Sequence, residues 1–154
     1  MKASAILLIV IFNGCGHGPN DVQRRIVDKI EETCGNQWQC SLDMSGTTTF
    51  DWDTFYFFRS GLVSSEISEM INTKVDFSEE FSYKYVFLLD GQVVHTEEHL
   101  SSFDGPPPGT ISMLSTDQNG YFALIKKDSL LNARIDRRRS GTTYYLTCSN
   151  CDQR

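Results

Sequence analysis

Residues 83–96 read YKYVFLLDGQVVHT and contain the clearest secondary-structure pattern of the chain. Apolar and aromatic side chains alternate along its first half, as they do in a β-strand whose two faces differ. Asp90-Gly91 follows, a pair that readily adopts the positive backbone angles of a tight hairpin turn, and the chain then returns in an extended pattern. The stretch therefore predicts a β-hairpin.

Two helices and several more strands are expected around this hairpin. A first helix can begin after Asn20, which is able to cap it, and end at Gly35, and a short second helix can begin at Ser64 or Ser65. The other expected strands cover residues 38–44, 50–58, 121–126, 130–137 and 142–148. The second half of strand 50–58 has aromatic residues on both faces, so it is expected to be buried on both sides.

The connections between these segments indicate the fold class. Strands 38–44 and 50–58 are expected to pair as a hairpin across a Ser-Gly-Thr-Thr-Thr turn. Residues 101–119 contain Pro106-Pro107-Pro108-Gly109 and are expected to form a surface connection. Consecutive hairpins without helical crossovers predict an α+β domain: an antiparallel sheet of about five to seven strands with two short helices packed on one face.

Composition limits the functional classes. The chain has 154 residues, which is enough for one domain, and 40% of them are hydrophobic, which is enough for a packed core. Its formal net charge of −6 argues against a general nucleic-acid binder, because such a protein needs many Lys and Arg to neutralise phosphates. No nucleic-acid partner is expected.

The N-terminus has the pattern of an export signal. Met1-Lys2 is followed by an apolar run from Ala5 to Phe12, which is too short to cross about 30 Å of hydrocarbon but fits a signal-peptide core. Residues 1–14 are therefore interpreted as a signal peptide, 15–20 as a tether and 21–154 as the folded domain. Ordinary secretion and a buried N-terminal strand are the alternatives.

The end of this run, Gly14-Cys15, resembles the lipobox of bacterial lipoproteins. The resemblance implies that the Cys15 thiol carries diacylglycerol and that the chain is cut just before it. Several acyl chains would then hold the protein on a bilayer. Gly16, in place of an Asp directly after the cysteine, implies the outer membrane facing the periplasm if the host is Gram-negative.

Four cysteines remain after Cys15, and an exported chain is expected to oxidise them to two disulfides. Three connectivities are open for this set. A dithiol redox site and a zinc site built from four thiolates are the alternatives. The four residues are Cys34, Cys40, Cys148 and Cys151.

Residues 95–99, HTEEH, fit the inverted zinc-peptidase signature H-x-x-E-H. On a helix His95 and His99 could grip one zinc ion with Glu98 as base. The run follows a hairpin turn, however, and residues four apart on a strand lie about 13 Å from each other. A solvated strand end is the favoured interpretation, so no metal or other cofactor is expected.

Two further groups are candidate binding residues. Asp51 and Asp53 flank Trp52, an arrangement that could serve sugar binding or a pair of catalytic carboxylates, although a buried Trp52 with turn-forming carboxylates is favoured. A second group is the dense basic patch of the chain, which could bind carboxylate or phosphate or could simply be solvated at a hairpin tip. It consists of Arg137, Arg138 and Arg139.

The aromatic strand at residues 50–58, FDWDTFYFF, the helix after it and the hairpin at 85–94 together resemble a set of small uncharacterised bacterial lipoproteins and exported proteins. The shared pattern is aromatic-x-Trp-Asp-x-x-Tyr-x-Phe, then a short helix, then a hairpin. This chain has Arg59-Ser60-Gly61-Leu62 where that family usually has a Gly-Pro-Tyr turn. The resemblance implies export and fold and implies no chemistry.

Together these features predict a lipid-anchored, envelope-facing binding or accessory protein, such as an inhibitor or immunity-type partner of another protein, with no catalytic activity. A metal-dependent hydrolase using His95, Glu98 and His99 is one alternative. A structural envelope protein without a specific ligand is another.

Overall fold

The computed structural model describes residues 21–101, 107–148 and 151. The predicted signal peptide and tether, with Cys15, lie outside the described residues. The elements in chain order are α1 (Val22–Cys34), β1 (Gln39–Asp43), β2 (Thr54–Phe58), α2 (Ser64–Ile71), β3 (Ser82–Leu89), β4 (Gln92–Leu100), β5 (Ile111–Met113), β6 (Phe122–Lys126), β7 (Leu130–Arg138) and β8 (Gly141–Cys148). The predicted α+β class is confirmed.

These eight strands form two four-stranded sheets, where the sequence predicted one sheet of five to seven strands. The first sheet has the order β1-β7-β8-β5 and the second has the order β4-β3-β2-β6. Neighbouring strands are antiparallel except β5, which runs parallel to β8. β5 was not predicted because its three residues lie inside a connection that the prolines mark as a loop.

The predicted hairpin at residues 83–96 is confirmed as β3 and β4. Asp90 and Gly91 between them have φ of 50° and 74°, the positive angles that a two-residue turn requires. The pairing runs from Leu89 opposite Gln92 to Ser82 opposite Leu100. β4 is therefore longer than its sequence pattern indicated.

The predicted hairpin between strands 38–44 and 50–58 is wrong. β1 pairs with β7 in the first sheet, while β2 lies between β3 and β6 in the second. The connection between β1 and β2 crosses from one sheet to the other, and its Met44 and Trp52 are buried in the core between the sheets. The alternation of residues located both strands but carried no information about their partners.

The first core fills the space between the two sheets. Phe55 and Phe57 of β2 and Tyr85 and Phe87 of β3 project into it from the second sheet. Buried residues of α1 join the same core. They are Val22, Ile26, Ile30 and Cys34.

The second core lies on the opposite face of the second sheet. Phe58 of β2 and Val86 of β3 pack there against Ile67 and Ile71 of α2. The two helices therefore lie against opposite faces of this sheet, which corrects the expectation that both pack on one face. β2 is buried on both sides, as its run of aromatic residues predicted.

The ends of α1 are fixed by local hydrogen bonds. Asp21, and not the predicted Asn20, caps the helix: its side chain accepts a hydrogen bond from the backbone N–H of Arg24 at 3.0 Å. Gly35 ends the helix at φ 56° and donates its N–H to the carbonyl of Glu31. Neither of the two described helices has the length and apolarity that crossing a membrane requires.

The four cysteines beyond position 15 form two local disulfides. Cys34 bonds to Cys40 and links the end of α1 to β1, and Cys148 bonds to Cys151 just after β8. The Cα–Cα distances are 5.2 Å and 5.5 Å. The disulfide prediction is confirmed, and of the three connectivities it is the local one.

Candidate functional site

Three polar side chains converge on one face of β4, the edge strand of the second sheet. His95, Glu97 and His99 are two residues apart, so they point to the same side. Their cross-strand partners, Phe87, Tyr85 and Tyr83, face the first core. The three side chains are only 19%, 11% and 17% exposed, respectively.

Glu97 is the centre of this group. Its Oε1 accepts hydrogen bonds from the backbone N–H of Val22 at 2.7 Å and from His95 Nε2 at 2.8 Å. Its Oε2 accepts one from His99 Nε2 at 3.0 Å and a longer one from the N–H of Gln23 at 3.4 Å. The carboxylate thus satisfies amides at the N-terminus of α1, which would otherwise lack partners.

These contacts determine the charge state of Glu97. Burial acts to raise the pKa of this carboxyl, but hydrogen bonds from His99, from the backbone of Val22 and from His95 outweigh it. The pKa therefore lies below its ordinary value, and Glu97 is ionised at neutral pH.

A second layer of hydrogen bonds orients His99. Its Nδ1 lies 3.2 Å from Nε2 of Gln23, and Oε1 of Gln23 accepts a hydrogen bond from the Tyr85 hydroxyl at 3.0 Å. In this orientation the amide donates to Nδ1, so the Nε2 of His99 carries the proton that is donated to Glu97. Burial raises the pKa of Tyr85 well above its ordinary value, so its hydroxyl stays protonated.

Asp21 completes the group from the start of α1. Asp21 and Glu97 each place a carboxylate oxygen, and His99 a ring nitrogen, so that these three atoms lie within 4.8 Å of one another. All three residues are half-buried. Two carboxylates and one imidazole are ligands that a divalent metal ion accepts.

Glu98 points away from this group, to the opposite face of β4. Its carboxylate accepts hydrogen bonds from the backbone N–H and hydroxyl of Ser78 at 3.1 Å and 2.8 Å and from the N–H of Glu79 at 3.0 Å. The glutamate of the H-x-x-E-H pattern, Glu98, therefore does not lie beside His95 and His99. On a strand the glutamate that joins the two histidines is Glu97.

The candidate residues Asp51, Trp52 and Asp53 are separated by the geometry of the chain. Trp52 is 2% exposed in the first core and donates its indole N–H to the hydroxyl of Thr48 at 3.1 Å. Asp53 accepts hydrogen bonds from the Thr54 hydroxyl and from the N–H of Asp90 at 2.7 Å. Asp51 is exposed, 3.5 Å from the Lys127 ammonium group. Trp52 is thus a core residue, Asp53 accepts a backbone hydrogen bond from the β3–β4 turn, and Asp51 faces solvent.

The three arginines at the tip of the β7–β8 hairpin differ in their contacts. Arg137 binds the end of α1, where its guanidinium donates to the carbonyl of Gly35 at 3.0 Å and pairs with Glu31 at 2.9 Å. Arg138 pairs with Asp136 at 2.7 Å. Arg139 is exposed in the turn.

A cleft opens between the two sheets at the end where β2 finishes and β3 begins. Its volume is ≈ 300 Å³, and Phe57, Tyr83 and Tyr145 line it together with Arg59 at its edge. Arg59 is exposed. This combination of aromatic rings and an exposed guanidinium is typical of surfaces that bind other molecules.

Exposed apolar side chains surround the same end of the second sheet. Phe81 precedes β3, Leu100 ends β4 and Tyr121 precedes β6, and they are 56%, 70% and 45% exposed. The backbone of Ser101 donates to the carbonyl of Phe81, and that of Arg59 donates to the carbonyl of Tyr121. We call these three residues with Arg59 the aromatic end of the second sheet.

The sequence contains a local signal for the cluster on β4. The predicted return strand of the hairpin, if continued with strict alternation, places residues 95, 97 and 99 on one face. Asp21 and Gln23 could not be connected to it, because they are more than 70 residues away along the chain.

No protein-family model, curated protein or solved structure matches this chain.

Proposed function

We propose that this chain is a lipid-anchored, envelope-facing protein that acts by binding a partner protein and has no catalytic activity. The observation that carries the proposal is the pairing of its cysteines. The chain has 5 cysteines, and Cys34, Cys40, Cys148 and Cys151 are joined in two disulfides. The fifth is Cys15.

The disulfides and the position of Cys15 support export and anchoring. Disulfides form and persist in oxidising compartments, so the two disulfides support the proposal that the folded domain lies outside the cytoplasm. Cys15 stands directly after an apolar run of signal-peptide length and a small residue, where a lipoprotein carries its lipid. The resemblance of residues 50–58 and 85–94 to small bacterial lipoproteins agrees with this location.

The aromatic end of the second sheet supports binding. Strands in a sheet lie about 4.8 Å apart, so residues at the ends of four adjacent strands span about 15 Å. Exposed aromatic and arginine side chains are enriched at protein interfaces. An inhibitor or immunity-type interaction with another envelope protein fits such a surface.

The anchor is tested by cell fractionation and mass spectrometry of the full chain expressed in a Gram-negative host. Wild type should sediment with membranes and carry the mass of acyl chains on its N-terminal peptide, whereas Cys15→Ser should be released. A variant with both Cys34→Ser and Cys40→Ser is the matched control, which should lose a disulfide and remain on the membrane. Wild type found in the soluble fraction without a lipid mass would contradict the proposal.

The binding surface is tested with a photo-crosslinking amino acid at single positions in the native host. A probe at Leu100 should form a discrete adduct with one protein, and so should a probe at Phe81. Val94, which is 40% exposed near the other end of β4, is the control position. The aromatic end is not the binding surface if the probe at position 94 forms the same adduct or if positions 81 and 100 form none.

A further inference from the structure

Three side chains that can bind a metal ion lie together where the start of α1 contacts the edge strand β4. Asp21, Glu97 and His99 each place one donor atom within 4.8 Å of the other two. We propose that these three residues bind a divalent transition-metal ion such as Zn²⁺, with His95 as a positioning residue. The proposal is independent of the lipid anchor and of the partner surface.

The distances suit such an ion after a small adjustment. Zinc binds imidazole nitrogen and carboxylate oxygen at about 2.1 Å, so two ligand atoms of a tetrahedral site lie about 3.4 Å apart. Glu97 Oε2 and His99 Nε2 are already 3.0 Å apart. Since the ligand atom of Asp21 lies within 4.8 Å of the other two, it has to approach by at most about 1.4 Å, which rotation of one half-buried side chain can supply.

The two oxygens of Glu97 have different tasks in this arrangement. Oε1 is held by two short hydrogen bonds, from the N–H of Val22 and from His95 Nε2. Oε2 has only the His99 contact and the 3.4 Å contact with Gln23 N–H. The His99 hydrogen bond to Oε2 ends when His99 Nε2 binds the ion, which frees a lone pair of Oε2 for the metal, while His95 and α1 fix the orientation of the carboxylate.

Binding requires His99 to change tautomer and releases no proton. The proton on Nε2 leaves that nitrogen so that its lone pair can bind the metal, and a proton occupies Nδ1 instead. The Gln23 amide then turns, so that its oxygen accepts from Nδ1–H and its NH₂ donates to the Tyr85 oxygen. The ring keeps one proton throughout, and His99 and Gln23 keep a hydrogen bond to each other. The Tyr85 hydroxyl proton and the N–H of Ile111 lose Gln23 Oε1 as their acceptor, which is a cost that metal binding has to exceed.

The electrostatics of the helix end permit a cation here. The backbone N–H groups at the start of α1 carry partial positive charge. Those of Val22 and Arg24 are already bonded to Glu97 and Asp21, respectively. The carboxylates of Asp21 and Glu97 lie on this side of the helix, and a divalent cation offsets their formal negative charges.

The imidazole ligand selects the type of ion. Mg²⁺ and Ca²⁺ prefer oxygen ligands in larger numbers, whereas Zn²⁺ and its neighbours in the first transition row accept mixed nitrogen and oxygen sets. Three protein ligands leave a further position for water or for a group from a binding partner.

The test is isothermal titration of the full chain in detergent with ZnCl₂, without a polyhistidine tag. All variants carry His17→Ala, because His17 lies outside the described residues and could bind zinc itself. The proposal predicts one Zn²⁺ per chain. Since loss of a supporting residue costs about 10- to 100-fold in affinity, His99→Asn and Asp21→Asn should each weaken binding by more than about 100-fold, and His95→Asn by about 10-fold.

Glu98→Gln is the matched control, because Glu98 is the neighbour of Glu97 on the other face of the same strand. It should bind zinc as the parent does, and excess Ca²⁺ should not compete in either protein. Nitrogen-15 spectra should show the His99 ring changing from the Nε2–H to the Nδ1–H tautomer when Zn²⁺ is added. Zinc should also raise the melting temperature of the parent and of Glu98→Gln but not that of His99→Asn.

The proposal is overturned if the parent binds no stoichiometric zinc, or if His99→Asn and Asp21→Asn bind it as tightly as the parent. Circular dichroism of each variant verifies that the comparison is made between folded proteins. Should Asp21→Asn fail to fold, Asp21→Ser replaces it, because serine keeps the helix cap and removes the carboxylate.

Discussion

Substitution of Phe57 and Phe58, one at a time, tests whether the second sheet is buried on both faces. The two residues are adjacent on β2 and point to opposite cores, and they are 1% and 0% exposed. Truncating a buried phenylalanine to alanine removes its transfer free energy and leaves a cavity, at a cost of about 3–5 kcal/mol. We expect both Phe57→Ala and Phe58→Ala to lower the free energy of unfolding by this amount.

The ring contacts of the two residues are closely matched. Phe57 lies 5.4 Å from the rings of both Tyr83 and Tyr85, and Phe58 lies 5.7 Å from Tyr56 and 5.6 Å from Phe122. Since each residue loses two aromatic contacts, their costs should agree within about 1.5 kcal/mol. A sheet with one solvated face would instead give one large and one negligible effect.

The assay is urea denaturation of the oxidised protein, followed by tryptophan fluorescence. With an m-value of about 2 kcal/mol/M, a loss of 4 kcal/mol lowers the denaturation midpoint by about 2 M. Val94→Ala, at an exposed position on β4, is the control and should change stability by less than about 0.5 kcal/mol. A loss below about 1 kcal/mol for either phenylalanine, at an unchanged m-value, would refute burial on that face. If an alanine variant does not fold, the milder Phe→Leu changes serve for the same comparison.

Three other outcomes are expected. Arg137→Ala removes the hydrogen bond to the carbonyl of Gly35 at the end of α1 and should cost about 1 kcal/mol, seen as a melting temperature about 2–4 °C lower. A hydrogen bond from the Lys29 ammonium group lowers the pKa of Asp43 to about 2. The stabilisation that the Asp43 carboxylate provides is therefore present above the ordinary pKa of 3.8 and is lost as the pH falls through about 2. The difference in unfolding free energy between wild type and Asp43→Asn should therefore shrink between about pH 4 and pH 2, from a starting value under about 1 kcal/mol because the pair is exposed to solvent. Removing the Cys34–Cys40 disulfide by serine substitution should cost about 2 kcal/mol in urea denaturation, the chain-entropy value for so short a loop.

Local sequence signals predicted much of the fold. Alternation and the Asp90-Gly91 turn located the β3–β4 hairpin, and Gly35 marked the end of α1, because these features depend on neighbouring residues alone. The aromatic run of β2 also predicted correctly that the strand is buried on both sides. Each of these conclusions needed only the period of the side chains or a required backbone angle.

The arrangement of the strands could not be predicted in the same way. β1 and β2 are consecutive, yet β1 pairs with a strand about 90 residues later, because the buried side chains of the intervening connection fill the core between the sheets instead of forming a tight turn. Strand pairing is decided by the packing of the whole core, and a pattern of period two is the same for every partner. The division into two sheets was therefore beyond local reasoning.

Residues 95–99 show why a motif has to be interpreted together with its secondary structure. H-x-x-E-H describes residues that meet on a helix, where positions four apart share a face. On β4 the same five residues divide by alternation: His95, Glu97 and His99 turn to the first core, and Glu98 turns to Ser78 and Glu79.

The two histidines are too far apart along the strand to bind one ion alone, as the strand rise predicts, but each reaches the carboxylate between them. A residue from a distant part of the chain then has to supply the further ligand, and in the proposed site that residue is Asp21 at the start of α1. The pairing of His99 with Glu97 follows from local alternation, whereas the arrival of Asp21 depends on how α1 packs against the second sheet. A zinc affinity that depends on Asp21 as strongly as on His99 would therefore report that packing as well as the metal ligands.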